Sequence, residues 1–509
     1  MFANLFNFTP SRFNYVSTSE LLAIFLQQTT VYLTCILFVL FVINVLLVQT
    51  NVNALKFKTI FNFIKLANMS VLALIFFLVF FKFIIYLWNY KGFGFFLSNY
   101  SWHSISFNCL YWATTLKLNS SVFSDVIILL AFSSGIICLY LLGEKNLARY
   151  LSNISIFSIF LVAIVFMVYT TNMLVMFLGF EFLFLPTLYF VYSHGYVQRV
   201  DRTMKILLYW TLFGAFLVFT SMAYLYVKYK TLDYFSLIEL KFTPLESNLL
   251  YTCIFLGFGV KVPVFPFHYW LTKIHVEAPA GFSIFLSGFL VKAAIYCFYY
   301  FNLMFQAEFF IQVTSMVALL GIIESSVKMW TQTDFKKLIA FATIQEMNLI
   351  LYLLLNYQNL LDYSLILFIL IHGWLSTLMF FLVDVIQKKT SSRNIVEICG
   401  LAYNFPELKV IIWFIILLFS GFPLTVKFLI EWQILGTLVL QSDQLYIITF
   451  FVIVVVGVTG FAKQFIIILY GLPRRTSTTN YVLSKRDKYL FYLILFILVF
   501  LNILNFFLG

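Results

Sequence analysis

Long apolar runs recur along almost the whole chain, and they restrict its fold more than any other feature. Most runs reach the roughly 20 residues that an α-helix needs to cross a bilayer. Charged residues make up only 10% of the 509 residues, whereas soluble domains carry about 25%. We therefore predict an all-α polytopic membrane protein with about 14 transmembrane helices. In chain order the predicted spans are 25–49, 69–90, 124–143, 155–171, 172–194, 204–226, 249–270, 282–303, 309–330, 336–356, 361–386, 409–441, 446–471 and 489–508.

The distribution of Lys and Arg predicts which helix ends share one side of the membrane. Basic residues concentrate after odd-numbered spans, whereas the loops after spans ten and twelve contain none. The positive-inside rule therefore places the odd-numbered loops on the cytoplasmic or matrix side. Lys228, Lys230 and Lys241 follow span six and weaken this pattern without reversing it. The net charge of +12 thus reflects topology. Because no basic run outside the spans is interleaved with aromatic residues, no nucleic-acid partner is expected.

The six cysteines lie singly and predict neither a metal site nor a disulfide framework. They form no C-x-x-C pair and no Cys/His pair at metal-ligand spacing, so we expect no zinc, iron–sulfur cluster or other cofactor in this chain. Residues 1–20 contain no apolar or Arg-rich targeting segment, so no removable segment is expected. The 65 Phe and 31 Tyr residues are typical of an AT-rich coding sequence, which favours an organelle genome.

Two spans are interrupted by Gly and Pro in a similar way, span seven near 257–270 and span twelve near 420–431. Proline removes a helical hydrogen bond, and a pair of broken spans in corresponding positions is typical of inverted repeats. We therefore predict two inverted five-helix repeats, spans 4–8 and spans 9–13; two independent proline kinks are the alternative. The predicted divisions are 1–150 for spans 1–3 with an amphipathic loop at 91–123, 151–305 for the first repeat, 306–471 for the second, and 472–509 for a basic loop and the last span.

Several charged residues lie inside the predicted spans, where each costs about 2.5–3.5 kcal/mol at a helix centre and is functional by default. Alternating acids and bases at that depth suit proton transfer. One Lys–Glu contact contributes roughly 3 kcal/mol at an effective dielectric near 20, and moving one charge through 100 mV is worth about 2.3 kcal/mol. The candidates for a proton relay are Glu181, Lys261, Lys292, Glu346, His372 and Glu431, with Lys427 and Lys205 as further candidates.

Some of these residues also have a structural reading. Lys427 and Glu431 are four residues apart on one predicted helix, so they could simply neutralise each other. His372 could be a hydrogen-bonded core residue, and Glu324 and Asp384 lie near span ends, where we expect them to reach water. Three candidates have no opposite charge one turn away, so they must pair across helices, stay neutral or face a water-filled path. These three are Glu181, Lys261 and Lys292.

A set of ordered motifs resembles one known family. The stretch 261–271, followed by H-V-E-A-P at 275–279, is similar to the central motif of the antiporter-like subunits of respiratory complex I. The H-V-E-A-P form resembles the chain 4 group within that family. Further similarity lies at 290–292, 332–340, 372–373 and 421–431. The order is kept from 151 to 431, whereas the two ends of the chain match only in hydrophobicity.

The resemblance implies a fourteen-span membrane-arm subunit of complex I that drives proton export without binding a redox centre. NADH, FMN, iron–sulfur clusters and ubiquinone are then expected in partner subunits. The expected partners are other membrane-arm subunits, including neighbouring antiporter-like ones, accessory subunits, and membrane lipids such as cardiolipin; the expected location is the mitochondrial inner membrane. By position, the resemblance assigns a carboxylate–lysine pair to Glu181 and Lys261, a connecting lysine to Lys292, a relay histidine to His372, and the outer exit to Glu431.

The chain departs from the family at two candidate positions. Glu346 stands where the family usually has histidine, and Lys427 stands where the family usually has a small residue. The resemblance therefore implies a central relay that titrates differently and an outer exit that is rebalanced by a local pair.

Two other functions stay open at the level of sequence. A stand-alone cation/proton antiporter would share the broken spans and the lysines; only the form of 275–279 and the mitochondrial-looking composition argue against it. A structural membrane anchor would not need charged residues in its spans, so the intact set of Glu181, Lys261 and Lys292 argues against that reading.

Overall fold

The computed structural model describes residues 26, 29–30, 32–37, 39–40, 58–89, 105–108, 115–118, 121–142, 147–195, 197–305, 307–356, 363–440, 444–472 and 483–508. Most of the predicted span 25–49, most of the predicted loop 91–123 and residues 473–482 of the last basic loop lie outside the described residues.

Helices account for nearly all of the described residues, as the apolar runs predict. In chain order they are α1 Lys58–Asn89, α2 Val122–Leu141, α3 Leu147–Tyr169, α4 Met173–Phe182, α5 Phe184–His194, α6 Val197–Tyr229, α7 Tyr234–Ile238, α8 Pro244–Lys261, α9 Tyr269–Glu277, α10 Ala280–Phe285, α11 Val291–Asn302, α12 Glu308–Met329, α13 Phe335–Asn356, α14 Tyr363–Thr390, α15 Leu401–Asn404, α16 Pro406–Phe419, α17 Val426–Leu440, α18 Gln444–Tyr470 and α19 Lys485–Leu508. A π-helical turn, Leu286–Leu290, joins α10 to α11.

The polytopic all-helical class is confirmed. Among the described residues, eight helical segments are long and apolar enough to cross a membrane. The total of about 14 spans and the inverted arrangement of the repeats stay predictions. The chain forms two compact units, unit 1 with Met1–Tyr189 and Phe219–Phe242, and unit 2 with Phe190–Val218 and Thr243–Gly509.

Unit 1 contains the described strands that interrupt the helical pattern. Strand β1, Ile105–Asn108, pairs with strand β2, Thr115–Leu118, in an antiparallel hairpin. The hairpin lies inside 91–123, for which the sequence predicts only an amphipathic loop. Four-residue strands give too short an alternation of polar and apolar residues to be distinguished from a loop.

A short antiparallel bridge in unit 1 fixes the start of α4. Asn172 pairs with Asp233 across this bridge. The Asn172 side chain also caps the helix, because its Oδ1 accepts a hydrogen bond from the Leu174 N–H at 2.9 Å. The Thr171 hydroxyl donates to Asp233 Oδ1 at 2.7 Å, so a hydrogen bond between a neutral and an acidic side chain reinforces this bridge.

Unit 2 contains the same device at the start of α13. Asp334 pairs with Asn394 in an antiparallel bridge, and Asp334 Oδ1 accepts from the Lys336 N–H at 2.9 Å. Arg393 Nε lies 2.9 Å from Asp334 Oδ2, so this bridge is closed by an ion pair. In both places the second residue of the bridge follows a long helix, α6 or α14. A short helix comes next, α7 or α15, and then a helix that ends at a break, α8 or α16. This shared order of elements supports the predicted repeats.

The first predicted break follows α8 in unit 2. The chain turns after Lys261 and resumes as α9 at Tyr269. Trp270 Nε1 donates to the Val260 carbonyl at 2.6 Å, and Asn348 Nδ2 donates to the Pro263 carbonyl at 3.2 Å. Freed backbone carbonyls at membrane depth are tolerated where protein covers them. These two side chains provide that cover.

The second predicted break separates α16 from α17. Gly421 has a φ of 66°, a conformation that side chains with a Cβ rarely adopt. The Val426 N–H, at the start of α17, donates to Asn502 Oδ1 of α19 at 2.9 Å. The predicted single span 409–441 is therefore two helices joined by a turn whose backbone groups are bonded to side chains.

Candidate proton-transfer site

The Lys427 ammonium group is the centre of a buried cluster in unit 2. It lies in the first turn of α17, immediately after the second break. Lys427 Nζ is 2.5 Å from Glu346 Oε1 and 3.8 Å from Glu431 Oε1. It also donates to the Phe419 carbonyl at 2.6 Å, at the end of α16. One buried cation thus has two carboxylates and one backbone carbonyl around it.

The two carboxylates around Lys427 are not equivalent. Glu346 is in the middle of α13 and 2% exposed, whereas Glu431 is one turn beyond Lys427 and 9% exposed. Within the part of the chain that the structure describes, Glu346 Oε2 and Glu431 Oε1 receive no hydrogen bond. Each carboxylate therefore keeps an oxygen that can accept a further proton or donor.

Gly421 explains why Glu431 can approach the broken helix so closely. A Cβ atom at this position would be 2.6 Å from Glu431 Oε2. The backbone turn that needs glycine for its positive φ also needs glycine for space. The break in span twelve therefore makes room for a carboxylate as well as interrupting the helix.

Lys292 lies close to this cluster on α11. It is fully buried, and its Nζ donates to the Ser287 carbonyl on the π-helical turn. In a regular α-helix the Ser287 carbonyl would accept from the backbone N–H four residues later. In the π-helical turn this pattern is changed, and the carbonyl accepts from the side chain of Lys292, five residues later. Helix α11, which carries Lys292, packs against α13, which carries Glu346.

His372 lies on α14, which packs against α13, against α17 and against the π-helical turn. The ring is 1% exposed, and neither ring nitrogen has a hydrogen-bond partner among the described residues. This environment does not match the structural reading of a hydrogen-bonded core histidine.

The remaining candidates lie outside this cluster. Glu181 lies in α4 of unit 1, and Lys261 is the buried last residue of α8 in unit 2. Lys205 is exposed on α6. The structure therefore brings together five of the sequence candidates: Lys292, Glu346, His372, Lys427 and Glu431.

The structural reading of Lys427 and Glu431 as a simple helical pair is incomplete. Lys427 is closer to Glu346, which is 81 residues away in sequence, than to Glu431 one turn away. The expectation that Glu324 and Asp384 reach water agrees better with the structure. Glu324 is 27% exposed and pairs with Lys328, and Asp384 is 14% exposed and pairs with Lys388 at 2.5 Å.

Basic side chains bond to the H-V-E-A-P segment, which ends α9 and leads into α10. Lys336 Nζ donates to the Ala278 carbonyl at 2.8 Å, and Arg393 donates to the Val276 carbonyl at 2.6 Å. His275 is fully buried and stacks on Phe380 with ring centroids 4.7 Å apart. In sequence, Arg393 is one of the basic residues that follow span eleven, and nothing in its neighbourhood indicates a contact with a residue 117 positions away.

Sequence reasoning missed a second buried ion pair, which lies in unit 1. Lys82 Nζ of α1 is 2.9 Å from Asp125 Oδ2 of α2, and both side chains are fully buried. The Tyr169 hydroxyl, at the end of α3, donates to Asp125 Oδ1 at 3.0 Å. Both charges stand inside predicted apolar spans, so the criterion that found Lys292 would have found them too.

Comparison with known proteins connects this site to a family. Residues 170–457 match the family model described as NADH:quinone oxidoreductase/Mrp antiporter, TM. The chain is 33% identical over 415 residues to NADH-ubiquinone oxidoreductase chain 4 of Paramecium tetraurelia, which covers 80% of this chain and 86% of that relative. It is 30% identical over 268 residues to NADH-quinone oxidoreductase subunit M of Rickettsia conorii, covering 52% of this chain and 54% of that relative.

A solved structure shows the same fold. A chain of respiratory complex I from Thermus thermophilus, with bound aureothin, superposes with a TM-score of 0.70 at 16% identity, covering 94% of this chain and 97% of that one. The resemblance inferred from the motifs is thereby confirmed. The chain belongs to the antiporter-like subunit family of NADH:quinone oxidoreductases, with chain 4 and subunit M as its relatives.

Proposed function

We propose that this chain moves protons across the mitochondrial inner membrane as a membrane-arm subunit of NADH:ubiquinone oxidoreductase. The observation that carries the proposal is the buried Lys427 ammonium group, which lies 2.5 Å from Glu346 and 3.8 Å from Glu431. A buried cation shared by two carboxylates leaves one carboxylate without a full counter-charge. Such a cluster is suited to binding and releasing a proton.

In this proposal protons pass from Lys292 towards Glu431, the more exposed end of the cluster. Lys292 is the group that loads, and Glu431 is the group that releases. The imidazole of His372 suits the step between them, because such a ring in its neutral form accepts a proton at one nitrogen and gives one up from the other. Neither nitrogen is committed to a hydrogen bond within the described part of the chain.

The energies of the ion pairs suit this work. Two unit charges about 4 Å apart interact by roughly 4 kcal/mol at an effective dielectric of 20. Moving a proton against 100 mV costs about 2.3 kcal/mol. Making or breaking one buried pair is therefore large enough to drive a proton against a membrane potential of physiological size, and small enough to be reversed in each cycle.

The proposal assigns coupling to Glu181 and Lys261, which by position resemble the family's carboxylate–lysine pair. It places electron transfer from NADH to ubiquinone, with FMN and iron–sulfur clusters, in partner subunits. Those partners would include other antiporter-like membrane subunits and accessory subunits, with cardiolipin among the surrounding lipids. The relatives named NADH-ubiquinone oxidoreductase chain 4 support a mitochondrial, organelle-encoded origin.

A stand-alone cation/proton antiporter is the second candidate, because the matching family model also covers Mrp antiporters. The two candidates differ in what the chain is bound to. Purification of the native chain within a large assembly that oxidises NADH supports the proposal, whereas purification of the chain alone favours the antiporter.

The decisive test uses Lys292→Met in the whole complex, reconstituted in vesicles with NADH and a quinone. Proton uptake or release per electron is measured with a pH-sensitive dye. We expect proton transfer through this chain to fall about 100-fold, because the loading group is gone, so the protons moved per electron drop by the share of this chain. Lys241→Met, at an exposed position on the loop that leads into α8, is the matched control and should pump normally. Normal pumping by assembled Lys292→Met complex would refute the proposal.

A further inference from the structure

The Glu346 carboxylate contacts one buried lysine, and the helix that carries it packs against the helix of a second buried lysine. Glu346 Oε1 is 2.5 Å from Lys427 Nζ of α17. The second lysine is Lys292 of α11, and α11 packs against α13, the helix that carries Glu346. Lys292 at present donates to the Ser287 carbonyl. One carboxylate cannot fully neutralise two ammonium groups, so the two lysines compete for it.

Lys427 has a second carboxylate ready to receive it. Glu431 Oε1 lies 3.8 Å from Lys427 Nζ, about 1 Å beyond the length of a charge-assisted hydrogen bond. That oxygen receives no hydrogen bond from the described residues, and neither does Glu346 Oε2. Both carboxylates therefore have an open acceptor, and a small displacement of the ammonium group exchanges one partner for the other.

We infer that Glu346 is a two-position ion-pair switch. In the position seen in this structure it holds Lys427. In the other position it holds Lys292, and Lys427 passes to Glu431. The inference rests on the proposed function and adds to it how the cluster is driven: the pairing of one carboxylate determines whether Lys292 loads a proton or gives it up.

The proton balance of the cycle follows from the pairing. When Glu346 reaches Lys292, it stabilises the charged amine, which takes a proton from the entry side. Lys427 then lies against Glu431, and its positive charge favours release of a proton from that carboxyl group to water. When Glu346 returns to Lys427, one N–H bond of Lys292 breaks, and the proton passes to a ring nitrogen of His372 and on to a Glu431 oxygen. Only protons move, and no oxidant or reductant is needed.

A static pair is the alternative to a switch. In that reading Lys427 only neutralises Glu346, and the pair would matter for folding alone. A third reading makes Lys427 an obligatory carrier of the proton. The three readings differ in what happens when the lysine is removed alone and when it is removed together with Glu346.

The experiment compares Lys427→Met with the double variant Glu346→Gln/Lys427→Met in the reconstituted complex. Proton pumping and NADH:quinone turnover are both normalised to the amount of assembled complex. A switch predicts that Lys427→Met loses about tenfold in pumping, because Glu346 then stays on Lys292. It predicts that pumping by the double variant is at least about threefold higher than that of Lys427→Met and still below that of the wild type, because Lys292 is no longer trapped by Glu346 but also loads without its help.

Two outcomes would overturn the inference. A double variant as inactive as Lys427→Met would make Lys427 an obligatory carrier. Both variants pumping like the wild type, per assembled complex, would make the pair static. Lys292→Met separates these failures from failure of the proposed function, because it abolishes pumping in every reading in which the chain moves protons through this cluster.

Discussion

The two units each contain a buried lysine–carboxylate pair, and the two pairs are built differently. In unit 1, both oxygens of Asp125 lie within 3.1 Å of Lys82 Nζ, and Tyr169 adds a third contact. In unit 2, Lys427 is shared by Glu346 and Glu431. The first pair joins one base to one acid. The second has an additional acid near the same base.

This difference separates a structural ion pair from a switching one. A buried charge is tolerated when its partners are complete, and the contact then favours a single arrangement of α1, α2 and α3. Where a cation has a second carboxylate within about 1 Å of bonding distance, a second arrangement becomes accessible to it. Burial alone therefore does not identify a proton-transfer group; the number of alternative partners does.

The largest expected effect tests the unit 1 pair. Lys82→Met leaves Asp125 buried without its counter-charge, so we expect a loss of about 3–5 kcal/mol in stability. The measurement is the thermal midpoint and yield of the assembled complex. Lys82→Met/Asp125→Asn should recover most of this loss, because Asn keeps an oxygen for Tyr169. If the recovered double variant assembles but does not pump, the unit 1 pair is also functional and the contrast fails.

A smaller effect is expected at the glycine that admits Glu431. Gly421→Ala combines a φ of 66° with a Cβ that would lie 2.6 Å from Glu431 Oε2. We expect a cost of about 1–2 kcal/mol and a displaced carboxylate, with a corresponding loss of pumping per assembled complex. Gly436→Ala is the matched control on α17, because a Cβ at that position would have nothing within 4 Å among the described residues. Equal behaviour of the two variants would show that Glu431 does not depend on this turn.

The smallest effect sharpens the account of the unit 1 pair. Tyr169→Phe removes one hydrogen bond to Asp125 and leaves the ion pair in place. We expect a loss of about 1 kcal/mol, measured as a lowered thermal midpoint, with normal pumping per assembled complex. A marked loss of pumping from so mild a change would assign Tyr169 a role in proton transfer.

The sequence predicted individual residues better than it predicted their partners. Glu346, Lys427 and Glu431 were each identified because a charge inside an apolar run is costly. Spacing rules, however, see only neighbours one turn apart, so they paired Lys427 with Glu431. The contact of Lys427 with Glu346 joins residues that are 81 positions apart in sequence, and it depends on how α13 and α17 pack in the fold.

The fold was predictable to a similar degree. Gly and Pro located both helix breaks, and the matching bridges at Asn172 and Asp334 support the repeats that the breaks predict. The side chains that cover the breaks were not predictable, because Trp270, Asn348 and Asn502 carry no local signal of the backbone groups they bond. The π-helical turn that presents the Ser287 carbonyl was not predictable from composition either.

The Phe419 carbonyl has a consequence for the rate of the exchange proposed at Lys427. It accepts from Nζ at 2.6 Å and belongs to the backbone, so it neither titrates nor moves away. An ammonium group that crossed between carboxylates without an acceptor would meet a barrier of several kcal/mol. With one bond retained throughout, the crossing becomes a change of side-chain rotamer about a fixed pivot. Such motions are fast compared with the microsecond to millisecond movements of whole helices. The broken helix therefore leaves the slow step of the cycle to the helices and not to the lysine.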